Sequence, residues 1–526
     1  MILRIVLIAL LCIPACYYAL RYNMHMFQQN GYKNTEHRKW LMAHARMQWV
    51  LVFGAALGIL RIFLPALFLD ILLILTLLLI WVVYRAMCRM STKKKFVVTP
   101  RVRRMFVTCG IFAALILALT GILTGVDRLP GVCMVLTCGA FLWTILANVI
   151  NHPMEAAINR HYINDARRKL KAVPGIRVIG VTGSYGKTSV KFYLKELLSV
   201  RYNVLATPES YNTPMGVVRT IRESLQSSHQ IFLCEMGARN VGDIKEICDI
   251  VHPHDGVITA VGPQHLETFH TMENIAATKF ELADALPKGG KLFLNGDSEP
   301  VLERAGRYES PVIYRVAAPG AGSAAGYVAS GLKVSALGTD FTVTAPGGET
   351  EDFHMRLVGA HNVINVLGAI AVAHSYGIPL AELKIPVRRL QSVEHRMQLR
   401  EQGPVTVIDD AYNSNPVGSK AAVETLKLFE GLRILITPGM VELGDREEEY
   451  NRLFGTYAAA CCDYIFLVGA KRAVPIREGA LSAGFPEEKC RTFDRFEDAF
   501  NAAVALRDEG HKYILIENDL PDAYAN

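Results

Sequence analysis

Apolar positions are spread very unevenly along this chain. Residues 2–20 form an apolar run in which Arg4 is the only charge. A second apolar stretch covers 49–84, too long for a single membrane crossing at about 20 residues. Leu64-Pro65-Ala66 reads as a tight turn dividing it into helices over 47–64 and 67–84. Arg61 and Asp70 then fall near the outer interface, where charge costs less. Runs over 105–126 and 129–150 follow, separated by Asp127-Arg128. The pattern predicts about five membrane helices within 1–150. No small-x-small cleavage site follows the first run, which favours a retained helix over a signal peptide.

The rhythm changes after 150. Residues 151–175 read as a polar amphipathic connector. From 176, short apolar strands alternate with helices: IRVIGV, then VKFYLKELLSV, then QIFLCEM and HDGVITAV. This alternation predicts a mostly parallel sheet covered by helices. Residues 291–354, rich in Gly, Ala, Thr and Val, read as antiparallel strands and turns, followed by a helix over 361–375. A second strand-helix set (TVIDD, AAVETLKLFE, RILITPGM, YIFLVGA, KYILIEND) begins near 403. The predicted organisation is a membrane region 1–150, a connector 151–175, an α/β domain 176–400 and a second α/β domain 401–526.

Composition agrees with a membrane segment followed by a soluble body. The 526 residues suffice for three or four domains, and the 51% hydrophobic share is concentrated before 151. That excludes a disordered chain, a collagen and a small disulfide scaffold. The 11 cysteines include no CxxC pair, so no zinc framework is present, and the soluble ones suit a reducing compartment. Charge gives the orientation. The 85–104 loop carries Arg85, Arg89, Lys93, Lys94, Lys95, Arg101, Arg103 and Arg104 with no acid. The 21–48 loop has Arg21, Lys33, Arg38, Lys39 and Arg46 against Glu36. The positive-inside rule places both in the cytoplasm, with the N-terminus outside and the large C-terminal part inside. Membrane topology and anionic lipid account for this basic charge, so no nucleic-acid partner is expected.

The sharpest chemical signal is Gly180-Val181-Thr182-Gly183-Ser184-Tyr185-Gly186-Lys187-Thr188-Ser189, which follows a strand and opens a helix. Its glycines permit a tight turn whose N–H groups face phosphate oxygens. Lys187 can reach the terminal phosphates, and the Thr188 hydroxyl can hold magnesium. The first glycine is one residue off the strict phosphate-loop spacing. Further landmarks are Ser210-Tyr211-Asn212-Thr213-Pro214-Met215-Gly216, Glu235-Met236-Gly237, Gly262-Pro263-Gln264-His265-Leu266-Glu267 and Ala277-Thr278-Lys279-Phe280-Glu281. Gly359-Ala360-His361-Asn362, Glu394-His395-Arg396-Met397-Gln398, Asp409-Asp410-Ala411-Tyr412-Asn413-Ser414-Asn415-Pro416 and Met440-Val441-Glu442-Leu443-Gly444 complete the set. Taken singly, most have a plain structural account. Glu235 reads as a strand-end acid, His265 as a turn histidine, Lys279 as a solvated lysine, Arg396 as a surface ion pair, and Asn413 and Asn415 as turn formers.

The ordered set, over about 176–526, resembles the Mur ligases, and within them the branch that adds D-alanyl-D-alanine. The resemblance implies a central ATP-binding phosphate-loop domain and a Rossmann-like C-terminal ligase domain. It implies ATP bound by Gly183, Ser184, Gly186, Lys187, Thr188, Ser189, Asn362, Arg396 and Asp410. It also implies two magnesium ions held by Thr188, Glu235, His265 and a carbamylated Lys279. Lys187, Lys279, His265 and Arg396 would carry catalysis, with Arg396 approaching the γ-phosphate and Asp410 the ribose. His361 would pack beneath the base or cap its helix. The implied reaction forms an amide through an acyl phosphate. In place of the family's usual uridine-nucleotide domain stands the apolar segment. The carboxylate substrate is therefore expected to be a cell-wall precursor or a lipid-linked acid, and the amine donor small and soluble. Membrane lipid and a cell-wall synthesis complex are further expected partners. Two other readings stand beside this one, a poly-γ-glutamate-synthase-like membrane ligase and a non-enzymatic ATP-binding membrane partner. The DDAYNSNP run disfavours the first, and the full set of charged landmarks disfavours the second.

Overall fold

The computed structural model describes residues 2–64, 66–90, 95–209, 211–317, 326–412, 414–507 and 510–519. Pro65, Lys93, Lys94, Ser210 and Asn413, named above, lie outside the described residues. The chain divides into two compact units, Met1–His161 and Tyr162–Asn526.

The first unit is helical: α1 (Ile2–Gln29), α2 (Asn34–Ala43), α3 (Trp49–Phe63), α4 (Leu67–Met87), α5 (Pro100–Thr124), α6 (Leu129–Cys138) and α7 (Ala140–Lys171). Helix α5 begins where Thr99 accepts from the Val102 N–H (3.3 Å) and Pro100 fills the first turn, the usual chemistry of an N-terminus. Among the described residues three helices, α1, α4 and α5, are long and apolar enough to cross a membrane, and a fourth span results if α6 and α7, bent by 73°, count as one. The break falls at Gly139, where Trp143 folds back and its indole N–H donates to Leu136 O (2.7 Å). Helix α3, expected as a full span, has 15 residues and falls short of the hydrocarbon thickness. Its two ends nevertheless lie at opposite ends of the bundle. Arg61 Nε meets Asp70 Oδ1 (2.6 Å), and Arg4 reaches the other oxygen of Asp70 (3.1 Å). At the far end Tyr84 donates to Gln48 Oε1 (3.1 Å). Arg61 and Asp70 are both buried, so each neutralises the other. Gly58 and Gly131 let the backbones of α3 and α6 touch, since a Cβ on either would meet the other's carbonyl oxygen within 2.8 Å. The separate connector expected over 151–175 is instead the continuation of α7, which runs unbroken to Lys171.

Among the described residues the second unit holds two sheets. The first has nine strands in the order β2-β3-β1-β4-β5-β6-β7-β8-β9. They are β1 (Arg177–Thr182), β2 (Val204–Ala206), β3 (Ile231–Glu235), β4 (Asp255–Ile258), β5 (Leu292–Asn295), β6 (Val312–Val316), β7 (Gly326–Ser335), β8 (Gly338–Thr344) and β9 (Thr350–Met355). Pairing is parallel from β2 to β7, and only β7-β8-β9 is antiparallel. The antiparallel region expected from 291 therefore starts at 326. Strand β5 (LFLN) is buried at every position, as a central parallel strand must be. The second sheet has the order β10-β11-β15-β12-β13-β14, with β10 (Gln398–Gln402) antiparallel to β11 (Val405–Asp410). The remaining strands, β12 (Leu432–Thr437), β13 (Tyr464–Val468), β14 (Cys490–Phe493) and β15 (Lys512–Glu517), pair in parallel, the Rossmann-like pattern.

Candidate nucleotide and ligase site

Strand β1 ends at Thr182 and the chain turns through Gly183 (φ +148°) and Gly186 (φ +78°) into α8 (Lys187–Leu198). A Cβ at Gly183 would lie 2.0 Å from Thr259 Oγ1, so only glycine fits. The turn is braced from below. The Ser184 and Tyr185 N–H groups both donate to Ala260 O (2.7 and 3.2 Å). Ser184 Oγ donates to Gly262 O (3.0 Å) and Tyr185 OH to Pro263 O (2.8 Å), tying the loop to the segment that carries His265. Lys187 Nζ curls over the turn and donates to Gly183 O (2.6 Å) and Ser184 O (3.0 Å). Desolvation brings its ammonium down to about 8, with Glu235 opposing and Arg396 adding to the fall.

Glu235 closes β3 and is fully buried. Thr188 Oγ1 donates to its Oε1 (3.1 Å), as does Asn212 Nδ2 (3.0 Å). Lys191 Nζ lies 2.9 Å from its Oε2. The SYNTPMG run explains itself here. Asn212 reaches the acid across Gly237, where a Cβ would press on the Asn212 amide at 2.7 Å, and Thr213 then caps the next helix. Ser189 faces the interior of α8 beside Tyr193.

Lys279 is buried on the helix Met272–Asp284, with Nζ 5.7 Å from the Phe269 ring centroid. Desolvation and the charge of Lys187 bring it down to about 7, against the pull of Asp243 and Glu281. Glu281 itself caps the helix Asp243–Val251, accepting the N–H groups of Gly242 (2.7 Å) and Lys245 (2.9 Å). His265 occupies a left-handed conformation (φ +52°) and its Nδ1 contacts a carboxylate oxygen of Glu442. Burial holds the imidazole below its ordinary value, with Glu442 pulling the other way. Burial would raise Glu442, but His265 and Arg239 outweigh it and the acid stays low. A neutral ring donating Nδ1–H to a carboxylate presents Nε2 as a lone-pair donor, the arrangement that orients metal-binding histidines.

The turn leading into β10 contributes Arg396, whose guanidinium lies 4.5 Å from the Tyr412 ring centroid. Neighbouring His395 and Met397 adopt left-handed backbone, and Met397 N–H donates to Asp410 Oδ1 (3.1 Å). Asp410 ends β11 opposite Glu517, the last residue of β15. Burial raises Asp410, with Arg396 opposing. Glu517 is pushed well above the carboxylate range by burial and by Asp410, and Ser414 Oγ donates to its Oε1 (2.6 Å).

Lys187, Thr188 and Glu235 thus share one site at the mouth of the turn. The charge of Lys187 is felt by Lys279 and His265, and that of Arg396 by Lys187. Asn362 is placed differently. It is buried, its amide donates to Val358 O (2.9 Å) and its oxygen accepts from Tyr193 OH (3.3 Å). His361 is brought to about 4 by burial, a neutral ring. Asn415 caps the helix Pro416–Leu426, accepting the Gly418 N–H (2.8 Å). Sequence reasoning missed Lys191 and Glu517, and gave Glu442 no role. Lys191 had a legible signal, because it lies on the apolar face of α8 among Val190, Leu194 and Leu197 and a lysine there requires a buried counter-charge. Glu517 ends an apolar strand and gives no such signal.

The comparisons with known proteins cover the same region. The family model for the Mur ligase middle domain matches residues 181–373, and that for the Mur ligase, glutamate ligase domain matches 395–516. The UDP-N-acetylmuramoyl-tripeptide--D-alanyl-D-alanine ligase of Bacillus subtilis (strain 168) is 30% identical over 340 residues, 64% of this chain and 72% of that protein. The Escherichia coli (strain K12) protein of the same name is 30% identical over 335 residues, 61% and 73% of the two chains. The crystal structure of MurF ligase from Thermotoga maritima in complex with ADP has the same fold, with a TM-score of 0.61 at 23% identity over 70% of this chain and 81% of that one. The chain belongs to the Mur ligase family of ATP-dependent ligases.

Proposed function

We propose that this ligase extends the peptide of a peptidoglycan precursor by joining its terminal carboxylate to D-alanyl-D-alanine or a similar small amine donor. The observation that carries the reading is the convergence of Lys187, Thr188 and Glu235 at the turn after β1, with Lys279, His265 and Arg396 each within electrostatic reach of Lys187. A carboxylate oxygen of the acceptor attacks the γ-phosphorus of ATP and ADP leaves. The amine nitrogen then attacks the acyl carbon, and phosphate departs with that carboxylate oxygen. Lys187 and Arg396 offset charge on the phosphoryl oxygens, and Asp410 and Ser189 complete the nucleotide's surroundings.

The donor set suits magnesium: the Thr188 hydroxyl, the Glu235 carboxylate and the His265 Nε2 that Glu442 orients. Among the described residues no group of three or more His, Cys, Asp or Glu side chains forms a ready metal site. A carbamate on Lys279 would supply the missing carboxylate, and an amine brought to about 7 is neutral often enough to react with carbon dioxide. Bound there, the metal supplies positive charge to the phosphoryl oxygens. The domain arrangement proposed for this chemistry is central residues 176–400 for the nucleotide and 401–526 for closing the cleft.

The matched family domains begin at 181, and apolar helices precede them. This favours a membrane-confined carboxylate, because tethering raises the local concentration of anything held at the same surface. The test offers the purified full chain ATP, D-alanyl-D-alanine and either a UDP-linked or a polyprenyl-linked tripeptide precursor, with products read by mass spectrometry. Amide formation with faster turnover of the lipid form is the expected result. Equal use of both would remove the membrane-confined substrate, and ATP cleavage with no amide from either would remove the substrate class.

A further inference from the structure

The cytoplasmic end of α4 carries a cleft of about 560 Å³ lined by Trp81, Val82, Arg85, Ala86, Arg89 and Met90. Two donors in its lining are shut off from water yet have no hydrogen-bond partner among the described residues: Trp81 Nε1 and Arg85 Nε. The Arg85 guanidinium stands 6.0 Å from the Trp81 ring centroid. Arg89, one turn further, is exposed. A buried donor left unpaired costs about 1–3 kcal/mol, and more where the group is charged, so two on one wall point to an acceptor that belongs there. Both are donors only, and one is a cation. The complement is an anion with several terminal oxygens spread over more than one direction.

Depth along the helix narrows the choice. Arg85 lies about 27 Å from Leu67 at 1.5 Å per residue, close to the roughly 30 Å of a hydrocarbon core. That is the level at which lipid phosphates sit. Below the cleft, Phe68, Ile71, Leu75, Leu79 and Val82 are all exposed at helical spacing, a single apolar stripe leading up to it. The stripe is one helix face wide, which suits one chain rather than two.

We propose that the Trp81–Arg85–Arg89 cleft binds the phosphate monoester or pyrophosphate head of a single-chain lipid whose tail lies along the exposed face of α4. Trp81 Nε1, Arg85 Nε and the Arg89 fork can each meet a separate terminal oxygen of such a head group, which carries more charge than a phosphodiester and one more free oxygen. The site stands on the helical unit alone and does not depend on which substrates the ligase joins.

The experiment is equilibrium binding of radiolabelled hexadecyl phosphate to the full chain in phosphatidylcholine nanodiscs. One saturable site per chain is expected. Arg85→Gln should weaken it about tenfold and Arg85→Lys, which keeps the charge but loses Nε, severalfold. Trp81→Phe, which loses only the N–H, should weaken it about threefold. Lys39→Gln, on the exposed basic helix α2, should leave it unchanged. Melting temperatures of all four variants check that binding, not folding, is being read, and the two milder variants decide if Arg85→Gln unfolds. Wild-type affinity in Arg85→Gln and Trp81→Phe would overturn the site. Equal loss in Lys39→Gln would reduce it to diffuse surface charge. Competition by inorganic phosphate or phosphatidylglycerol as strong as that of unlabelled hexadecyl phosphate would overturn the single-chain lipid as occupant.

Discussion

Glu235 and Glu517 occupy matching places in the two sheets of the ligase unit. Each is the last residue of a parallel strand, each is almost wholly buried, and each faces the carboxyl edge of its sheet, where α/β folds bind ligands. Their partners differ. Glu235 has a cation at 2.9 Å and two neutral donors on its other oxygen. Glu517 has one hydroxyl donor and a second acid, Asp410, beside it. Equal burial therefore produces opposite chemistry: an acid locked in an ion pair next to the phosphate turn, and an acid whose hold on a proton is strengthened by burial and by Asp410 next to the Arg396 turn. Burial sets the cost of charge, and the neighbours decide whether it is met by pairing or by a proton.

The comparison is broken most severely by removing one side of the ion pair. Lys191→Met leaves Glu235 buried and uncompensated and should destabilise the ligase unit by about 3–5 kcal/mol, seen as a large fall in melting temperature. Adding Glu235→Gln should recover much of it, and a single variant as stable as wild type would show that Lys191 is no counter-ion. Lys187→Ala acts on the same turn in a different way. Its ammonium rests on backbone carbonyls and serves the ligand, so turnover should fall by about a hundredfold or more with the melting profile retained.

Lys279 sharpens the contrast with a buried base. The amine is brought to about 7, so its neutral fraction grows as pH rises through that value. Labelled carbon dioxide should then give a carbamate carbon-13 signal that grows from about pH 6 to 8 and is missing in Lys279→Ala. A wild-type chain without that signal would contradict the carbamate. The smallest effect is expected at Glu517. Its folded value is raised, so its contribution to stability is full below the ordinary value of 4.5 and is lost as pH rises through the folded value. Glu517→Gln keeps the protonated shape and should change stability by no more than about 1 kcal/mol near neutrality while flattening that pH dependence. A loss like that of Lys191→Met would mean Glu517 is charged.

Much of this was legible in the sequence, for identifiable reasons. The phosphate turn is a local device, and Gly183 and Gly186 announce the backbone they adopt. The apolar runs mark the helical unit, although α3 is shorter than its run, and the α6–α7 break depends on Trp143 folding back over Gly139. The parallel course of β5 and β6 was hidden because 291–316 looks turn-rich and only pairing partners reveal direction. At the site, Lys187 was readable from the glycine spacing of the turn, and Glu235 as a strand-end acid whose role came only with the family resemblance. The contacts that give them their character were not, because Lys191, Glu442 and Glu517 reach their partners across long stretches of chain. Asn362 shows the converse: a landmark asparagine whose hydrogen bonds tie its own helix to α8.

The central claim is that the carboxylate is activated as an acyl phosphate at the Lys187 turn. Oxygen transfer tests it directly. An acceptor peptide labelled with oxygen-18 in its terminal carboxylate is incubated with the full chain, ATP and D-alanyl-D-alanine, and the released phosphate is analysed by mass spectrometry. The account predicts one labelled oxygen in inorganic phosphate for each amide formed, and none of either with Lys187→Ala. Amide formation with unlabelled phosphate, or with the label in AMP, would contradict it.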